Sequence, residues 1–264
     1  MDELSHYNQA RWEELAQANV EFTQPMLDLT VELARQRWDK EGFIGDAAGK
    51  NVLCLAASGG QQSVLFGLLR ANVTVFDLAP TQLERDHEAA LHYGYPIETL
   101  VGDMRDLSAF QTNHFDFVYQ AYSINFVPST ESVFAEVARV LRAGGYYHLQ
   151  WANPFTQSVD DEAWDGETYL LQHPYIDGFE ITQYYPHWDV EDGKGGWRKI
   201  DSPKEYRHTL GTVLNGLIAQ GFRIEHFQEA LNSNPDPAPG TWEHFKSIAP
   251  PYFTVWSQLV FEGG

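Results

Sequence analysis

Short runs of apolar residues alternate along the chain with stretches in which apolar residues recur every three or four positions. Runs such as residues 51–56 are apolar at nearly every position, which is typical of strands buried on both faces of a parallel sheet. The intervening stretches, for example 61–71 and 210–220, have the spacing of helices that pack one face on such a sheet. We predict strands over 51–56, 72–77, 97–101, 115–119, 146–152, 223–229 and 252–261.

The predicted architecture is α/β, with a doubly wound, mostly parallel sheet of seven strands and an antiparallel last strand. A loop rich in Pro, Asn and Gly joins the last two strands, so we expect them to be antiparallel neighbours. Between the strands, Pro80 opens a helix that stops at Gly94, and Ser129 caps a helix that Gly144 and Gly145 terminate. The N-terminal fifty residues also have amphipathic helical spacing.

Three strand ends carry residues suited to bind a nucleoside. Small residues at 57–60 follow the first strand, Asp77 ends the second, and Asp103 follows the third. Ligands of open α/β sheets bind beyond the carboxyl ends of the strands, at the switch in strand order. Small residues let a ligand approach the backbone, while the two acids can accept hydrogen bonds from ribose hydroxyls and from the adenine amine. The first loop lacks the Gly-x-Gly-x-x-Gly turn for a pyrophosphate, which argues against a nicotinamide-dependent oxidoreductase.

These motifs resemble those of the class I S-adenosylmethionine-dependent methyltransferases of the small-molecule, ubiquinone-biosynthesis-like type. The resemblance rests on residues 52–60, 73–78, 101–107, 115–122 and 136–145, in that order. It implies a Rossmann-like fold, S-adenosylmethionine as cofactor, S-adenosylhomocysteine as its product, and in-line methyl transfer to a small organic acceptor. The acceptor atom (O, N, S or C) is left open, and the alternative is a non-catalytic or regulatory S-adenosylmethionine-binding protein. The cofactor-binding residues implied are Ala57, Ser58, Gly59, Gly60, Gln61, Asp77, Leu78, Asp103, Met104, Tyr119 and Gln120.

The glycine motif departs from the family pattern at three positions. Cys54 stands where the family has an acid, and Ala56 and Ser58 stand where it has glycines, whereas Gly60 keeps the final glycine. The family's acid helps to place the methionine ammonium group, so another residue must do so here. The candidates are Gln61, Gln62, Tyr7 and Trp12.

The alternation of strands and helices breaks between residues 154 and 206, a stretch rich in aromatic and acidic residues. So long an irregular segment inside a domain is usually a lid or a binding insertion. We predict one domain with an N-terminal helical cap (1–48), a cofactor-binding half (49–153), a substrate lid (154–206) and a C-terminal helix with strands (207–264). The lid's composition suggests a flat aromatic or cationic acceptor. Substrate candidates are Tyr7, Trp12, Tyr122, Trp151, His187 and Trp188, and candidate general bases are Tyr122, His148, His187 and His208.

Composition narrows the range of partners. The chain has 17 Lys and Arg against 37 Asp and Glu, a net charge of −20, which excludes nucleic acid as the main partner because phosphate binding needs clustered basic side chains. The acidity also argues against an anionic membrane, and no apolar run approaches the ~20 residues of a spanning helix. The single cysteine, Cys54, excludes internal disulfides, and we predict no metal site.

The first residues have neither the basic nor the apolar region of a secretory signal, so we expect a cytoplasmic protein. The acidity indicates a solvated surface or, as the alternative, an adaptation to salt. Association into a homo-oligomer is left open.

Overall fold

The computed structural model describes residues 1–56, 59–157, 159, 164–191, 195–230 and 234–260. Within these ranges, seven strands form one sheet and two form a separate hairpin. The strands are β1 (Asn51–Leu55), β2 (Asn72–Asp77), β3 (Ile97–Val101), β4 (Phe115–Gln120), β5 (Leu141–Ala152), β6 (His187–Glu191), β7 (Trp197–Asp201), β8 (Phe222–Glu229) and β9 (Tyr252–Leu259).

Helices cover the sheet and precede it in the chain. The described part contains α1 (Glu3–Gln17), α2 (Val31–Trp38), α3 (Gln62–Leu68), α4 (Pro80–Tyr93), α5 (Glu131–Val140), α6 (Leu210–Ala219) and α7 (Trp242–Ile248). Short 3₁₀ turns lie at Glu21–Thr23, Ile124–Phe126 and Thr182–Tyr184.

The strand order is β3-β2-β1-β4-β5-β9-β8. Strands β1 to β5 are parallel, and β9 runs antiparallel to both of its neighbours, β5 and β8. The predicted doubly wound α/β fold is therefore confirmed, including the antiparallel last strand. The chain winds outward from β1 to β3 and then returns to β4, so the switch in strand order lies between β1 and β4, where a crevice is expected.

The apolar side chains of β1 contribute to the core on both faces of the sheet. Leu53 and Leu55 belong to the core cluster beneath α5 and α6, whereas Val52 and Cys54 belong to the cluster beneath α2 and α3. Alternate side chains of a strand point to opposite faces, so a strand covered on both sides has no polar positions. Cys54 is fully buried within this layer, as a small apolar residue would be.

Several boundaries differ from those predicted. Helix α5 ends at Val140 instead of at the glycine pair, because Leu141 already has an extended backbone and pairs with Phe115 of β4. Residues 26–29 have helical spacing in sequence but precede α2, which begins after Thr30 caps it. The amide of Met26 instead donates to the carbonyl of Gly60, at 3.2 Å.

The 154–206 segment was predicted to lack regular structure, and this is wrong for its second half. Strands β6 and β7 form an antiparallel hairpin in which His187 pairs with Asp201 and Glu191 with Trp197. Part of the sequence signal was present, since residues 187–191 alternate between polar and apolar side chains and a glycine-rich stretch follows them. The loop between β8 and β9 likewise contains an unpredicted helix, α7, which Thr241 caps.

Gly102, just after β3, offers a test of packing at the sheet edge. A Cβ atom built there would lie 2.1 Å from Cζ of Phe76, a buried residue of β2. Gly102→Ala should displace that ring and lower the free energy of unfolding by about 1–3 kcal/mol. Gly211→Ala is the matched control, because its Cβ would meet open space within α6. Denaturant unfolding of both variants checks this, and equal stability would contradict it.

Candidate active site

A cavity of about 770 Å³ opens at the carboxyl edge of the sheet, beside the switch between β1 and β4. One end is lined by Asp77, Leu78, Gly102 and Met104. The other end has an aromatic wall of Trp12, Phe22, Tyr122, Phe126, Trp188 and Tyr252.

Asp77, the last residue of β2, lies where the sequence predicted a ribose-binding acid. Its Oδ1 accepts a hydrogen bond from the amide of Ala79 at 2.8 Å. Burial raises the pKa of Asp77 to about 8, and the nearby carboxylates of Asp86 and Glu13 add to the shift. A buried acid at a cavity wall favours ligands that donate hydrogen bonds to it. Leu78 lines the same end, and its carbonyl accepts from Gln9 of α1 at 2.6 Å.

The glycine turn after β1 packs against α4, and the predicted cofactor residues Gly59 and Gly60 are not among the residues that line the cavity. Gly59 and Gly60 have φ of 64° and 81°, and a Cβ on Gly59 would lie 2.4 Å from Oε1 of Gln82 on α4. Glycine is needed here for backbone conformation and for close approach of α4. Gln61 lines the cavity and donates to the carbonyl of Phe22 at 3.3 Å. The other two predicted residues of this turn, Ala57 and Ser58, lie outside the described residues.

Asp103 was predicted to accept the adenine amine, but it is not among the residues that line the cavity. Its Oδ2 accepts from the Ser5 hydroxyl at 2.5 Å and from the Arg105 guanidinium at 2.6 Å, and Arg105 also pairs with Asp2 at 2.8 Å. Burial alone would raise the pKa of Asp103, but the hydrogen bonds from Arg105 and Ser5 outweigh it and lower the pKa. Asp103 thus anchors the first turn of α1, while its neighbour Met104 faces the cavity. Its adenine contact stays a prediction.

Tyr119 and His148 line the middle of the cavity from adjacent strands. Their rings stack with centroids 3.9 Å apart and an interplanar angle of 2°. Burial lowers the pKa of His148 to about 3, so the imidazole is neutral at physiological pH. Its Nδ1 has no hydrogen-bond partner among the described residues.

Gln120 is fully buried and does not line the cavity, although it was predicted to bind the cofactor. Its amide donates to the Ser123 hydroxyl at 2.9 Å and accepts from the Tyr147 hydroxyl at 2.5 Å. These contacts hold the turn after β4 against β5. Gln120 therefore supports the cavity wall without facing the cavity.

Three of the six predicted substrate residues face the cavity: Trp12, Tyr122 and Trp188. Trp12 on α1 contacts Trp188 on β6 edge to face, with centroids 6.2 Å apart, so the N-terminal cap and the hairpin meet over the site.

The structure places the other three predicted substrate residues, Tyr7, Trp151 and His187, elsewhere. The Tyr7 hydroxyl donates to the carbonyl of Ser202 at 3.3 Å, and Trp151 is fully buried in the sheet core. His187 is exposed and pairs with Asp201 across the hairpin at 3.0 Å. The third histidine considered as a base, His208, is buried with Nε2 3.1 Å from the carbonyl of Ile124.

Glu205 lines the cavity and was missed in the sequence. The Tyr122 hydroxyl donates to its Oε1, and Nε2 of Gln157 donates to the same oxygen at 2.9 Å. Burial raises the pKa of Glu205, although both hydrogen bonds oppose the shift. No local sequence pattern indicates that Glu205 faces the cavity, because its position depends on how segment 154–206 is attached to the rest of the domain.

Two buried asparagines attach the end of the lid to the rest of the domain. Asn125 donates to the carbonyl of Tyr206 at 2.9 Å and accepts from the amide of Ala152 at 3.1 Å. Asn8 on α1 accepts from the amide of Lys204 at 2.7 Å. These contacts bracket residue 205 on both sides and fix it opposite the end of β4.

No helix in the described ranges is long and apolar enough to cross a membrane. The same part of the chain contains no group of three or more His, Cys, Asp or Glu placed to hold a metal ion. The cytoplasmic location expected from the sequence stays a prediction.

Comparison with known proteins agrees with this fold and site. Residues 53–149 match the Methyltransferase domain family. The chain is 27% identical to the uncharacterized methyltransferase YbaJ of Bacillus subtilis over 87% of this chain and 91% of that protein. It is 29% identical to the ubiquinone biosynthesis O-methyltransferase of Xanthomonas oryzae pv. oryzae, over 52% of this chain and 64% of that one.

Solved structures show the same architecture. An S-adenosylmethionine-dependent methyltransferase from Mesorhizobium loti superposes with a TM-score of 0.61 at 18% identity, covering 88% of this chain and 100% of that one. Another, from Clostridium acetobutylicum, superposes with a TM-score of 0.61 at 16% identity, covering 96% of each chain. The fold is that of a Rossmann-like methyltransferase domain. The domain match over residues 53–149 and the sequence relatives agree with this fold and support a class I S-adenosylmethionine-dependent methyltransferase, with S-adenosylmethionine as the cofactor.

The residues present fit that cofactor at the ribose position. Asp77 is a buried acid on the cavity wall whose Oδ1 has one backbone donor, which leaves acceptor capacity for ligand hydroxyls. Gly102 lines the same end without a side chain, and Met104 adds an apolar surface suited to a base.

The raised pKa of Asp77 predicts how cofactor affinity depends on pH. Two donating ribose hydroxyls favour the ionised carboxylate, so binding of S-adenosylhomocysteine should release a proton below pH 8, where free Asp77 is protonated. Affinity should fall by up to about tenfold for each pH unit below that value. Calorimetric titration at pH 6, 7 and 8, in buffers of different ionisation enthalpy, measures both effects.

Asp77→Asn is the control, because its side-chain amide does not titrate. Its affinity should be weaker at pH 8 and should lack the part of the pH dependence due to Asp77. The same pH dependence in both proteins would show that Asp77 does not hold the ligand through its carboxylate.

Proposed function

We propose that this protein transfers the methyl group of S-adenosylmethionine to a small organic acceptor inside the cavity. The observation that carries the proposal is that one cavity joins an acid at the end of β2 to an aromatic wall built by α1, the turn after β4 and the β6–β7 hairpin. Its volume of about 770 Å³ lies in the usual range of small-molecule sites, roughly 300–1,000 Å³. When bound, the cofactor supplies an electrophilic methyl group on a sulfonium.

In this proposal, the residues of the chain bind the cofactor and align its methyl group with the acceptor. Asp77 holds the ribose, Met104 and Leu78 contact the adenine, and Gln61 and Gln62 lie at the cavity where the methionine ammonium group would need a partner in place of the acid missing at Cys54. Tyr119 and Tyr122 present aromatic surface, which attracts a cation such as the sulfonium. Methyl transfer is an in-line displacement, so alignment and exclusion of water are the main tasks of the protein.

The acceptor in this proposal is flat and at least partly apolar. Trp12 contacts both Phe126 and Trp188 edge to face, with ring centroids 5.1 and 6.2 Å apart, so these rings form an apolar wall on which a planar molecule can lie. The name of the Xanthomonas relative, a ubiquinone biosynthesis O-methyltransferase, supports an acceptor of this kind. The family match and both relatives favour catalysis over a purely regulatory binding role.

The direct test is calorimetric titration with S-adenosylmethionine and S-adenosylhomocysteine, followed by measurement of S-adenosylhomocysteine release with a panel of phenols, amines, thiols and carbon acids. Binding of both compounds and turnover of at least one acceptor are expected. Absence of binding, or binding without turnover across the panel, would contradict the proposal.

Trp188→Ala tests the aromatic wall. Loss of the ring removes part of the aromatic wall, so the KM for the acceptor should rise about tenfold while the affinity for S-adenosylhomocysteine changes little. Trp197→Ala is the matched control, since Trp197 lies on the other strand of the hairpin, is 68% exposed and does not line the cavity. Equal KM values for the two variants would remove Trp188 from the acceptor site.

A further inference from the structure

Glu205 is an acid in the cavity wall whose surroundings contain no counter-charge. Within the described residues no ion pair reaches it, and both of its recorded side-chain hydrogen bonds, from Tyr122 and Gln157, end on Oε1. Its Oε2 therefore accepts no hydrogen bond from the described part of the chain, on a residue that lines the cavity. A half-buried carboxylate oxygen that accepts no hydrogen bond is unfavourable, and a ligand in the cavity that donates to Oε2 would relieve this cost.

The orientation of this carboxylate is fixed by contacts on every side. The amide of Glu205 donates to the Thr182 hydroxyl at 2.7 Å, and Arg207 holds Gln157 by donating to its carbonyl at 2.6 Å. With Asn8 and Asn125 fixing the flanking backbone, Glu205 cannot swing to solvent without breaking several buried hydrogen bonds. Such a restrained group suits proton transfer, which requires a heavy-atom distance of about 2.6–3.2 Å.

The rings around Glu205 indicate what kind of ligand would reach it. Tyr122 follows β4 at the switch in strand order, and its ring contacts Phe126 and Tyr252 with centroids 6.0 and 5.4 Å apart. A planar ring placed on this aromatic wall would bring an edge substituent toward Oε2. The substituent must be a hydrogen-bond donor, because an ionised carboxylate only accepts.

We propose that Glu205 is the catalytic general base of this methyltransferase and that the group it deprotonates, and which is then methylated, is a hydroxyl on an aromatic ring. The assignment rests on the methyl transfer proposed above and specifies its acceptor. Tyr122 and Gln157 are positioning residues, since they act through Oε1.

Methylation of a hydroxyl in this site combines one proton transfer with one displacement at the methyl carbon. The acceptor hydroxyl gives its proton to Oε2 of Glu205, and the oxygen lone pair forms the new bond to the methyl carbon. The carbon–sulfur bond breaks, and its electron pair goes to sulfur, which cancels the sulfonium charge. Glu205 leaves the step as a neutral carboxylic acid and returns its proton to water when the products leave.

The neighbouring candidates fit the role less well. His148 is neutral, but burial lowers its pKa to about 3, which makes it a weak base. Burial raises the pKa of Glu205, which strengthens its conjugate base. A neutral amine or a thioether needs no base, and a thiol ionises readily on its own, so a carboxylate held in this way is most useful for a hydroxyl.

Glu205→Gln, which keeps the shape and removes the basic oxygen, tests the assignment. Wild type and variant are assayed with S-adenosylmethionine and a series of phenols of graded acidity, from phenol to 4-nitrophenol, alongside an aniline and a thiophenol. We expect phenols to be methylated and the variant to lose about 10²-fold or more in kcat. The loss should shrink toward 4-nitrophenol, which ionises without help, and the variant's rate should keep rising with pH after the wild-type rate has levelled.

Four controls separate the outcomes. Glu180→Gln makes the same change in the same lid, at a partly exposed residue paired with Lys204, and should leave the rate unchanged. Glu205→Asp should restore part of the lost rate, and thermal unfolding confirms that each variant folds. Calorimetric titration with S-adenosylhomocysteine reports the cofactor site separately, so its failure counts against the proposed function as a whole.

Other results would overturn the assignment. Methylation of the aniline or thiophenol but of none of the phenols would do so, as would the same loss for every phenol regardless of its acidity. A rise in the S-adenosylmethionine Kd with no change in kcat would show that Glu205 binds the cofactor's cation instead.

Discussion

Two buried asparagines hold the cavity together. Outside the β6–β7 hairpin, the described part of the lid (154–206) has little sheet or helix to satisfy its own backbone, and buried peptide groups must find partners elsewhere. Asn125 supplies them at Tyr206 and at the end of β5, and Asn8 supplies them at Lys204 and at the carbonyl of Phe126. Because each asparagine both donates and accepts, α1, the turn after β4 and the end of the lid are fixed relative to one another. The aromatic wall and Glu205 depend on that arrangement.

The sequence was sufficient for the parts of the fold that follow local rules. The residue pattern predicted all of the strands of the main sheet. It is plainest in β1, where both faces are covered and every position from Val52 to Leu55 is apolar, whereas the edge strand β8 alternates between apolar and polar residues. Asp77 was also placed correctly at the cavity, since the end of a strand fixes the position of its last residue. The alternation of residues 187–191 could have indicated strand β6, but β7 has no such alternation, and the aromatic and acidic composition of the segment suggested an irregular structure.

Positions that depend on contacts between distant segments could not be predicted. Asp103 has the right place in the sequence to face a ligand, yet Arg105 and the first turn of α1 engage it, and only the docking of α1 determines this. Glu205 is the converse case, an acid with no local signature that reaches the cavity because of Asn8 and Asn125. Trp151 was chosen for its place at the end of β5, but its side chain points into the core, which the period-two rule could have indicated from its buried neighbour Leu149.

Trp188 joins the hairpin to the cap through two edge-to-face contacts, with Trp12 at 6.2 Å and with Phe22 at 6.1 Å between ring centroids. Such contacts contribute about 0.5–1.5 kcal/mol each, so parting them costs about 1–3 kcal/mol. A gap of that cost is open for roughly one-tenth to one-hundredth of the time. The hairpin and the cap therefore stay together for most of the time, which keeps water away from the aromatic wall, yet they can part often enough to admit a small molecule.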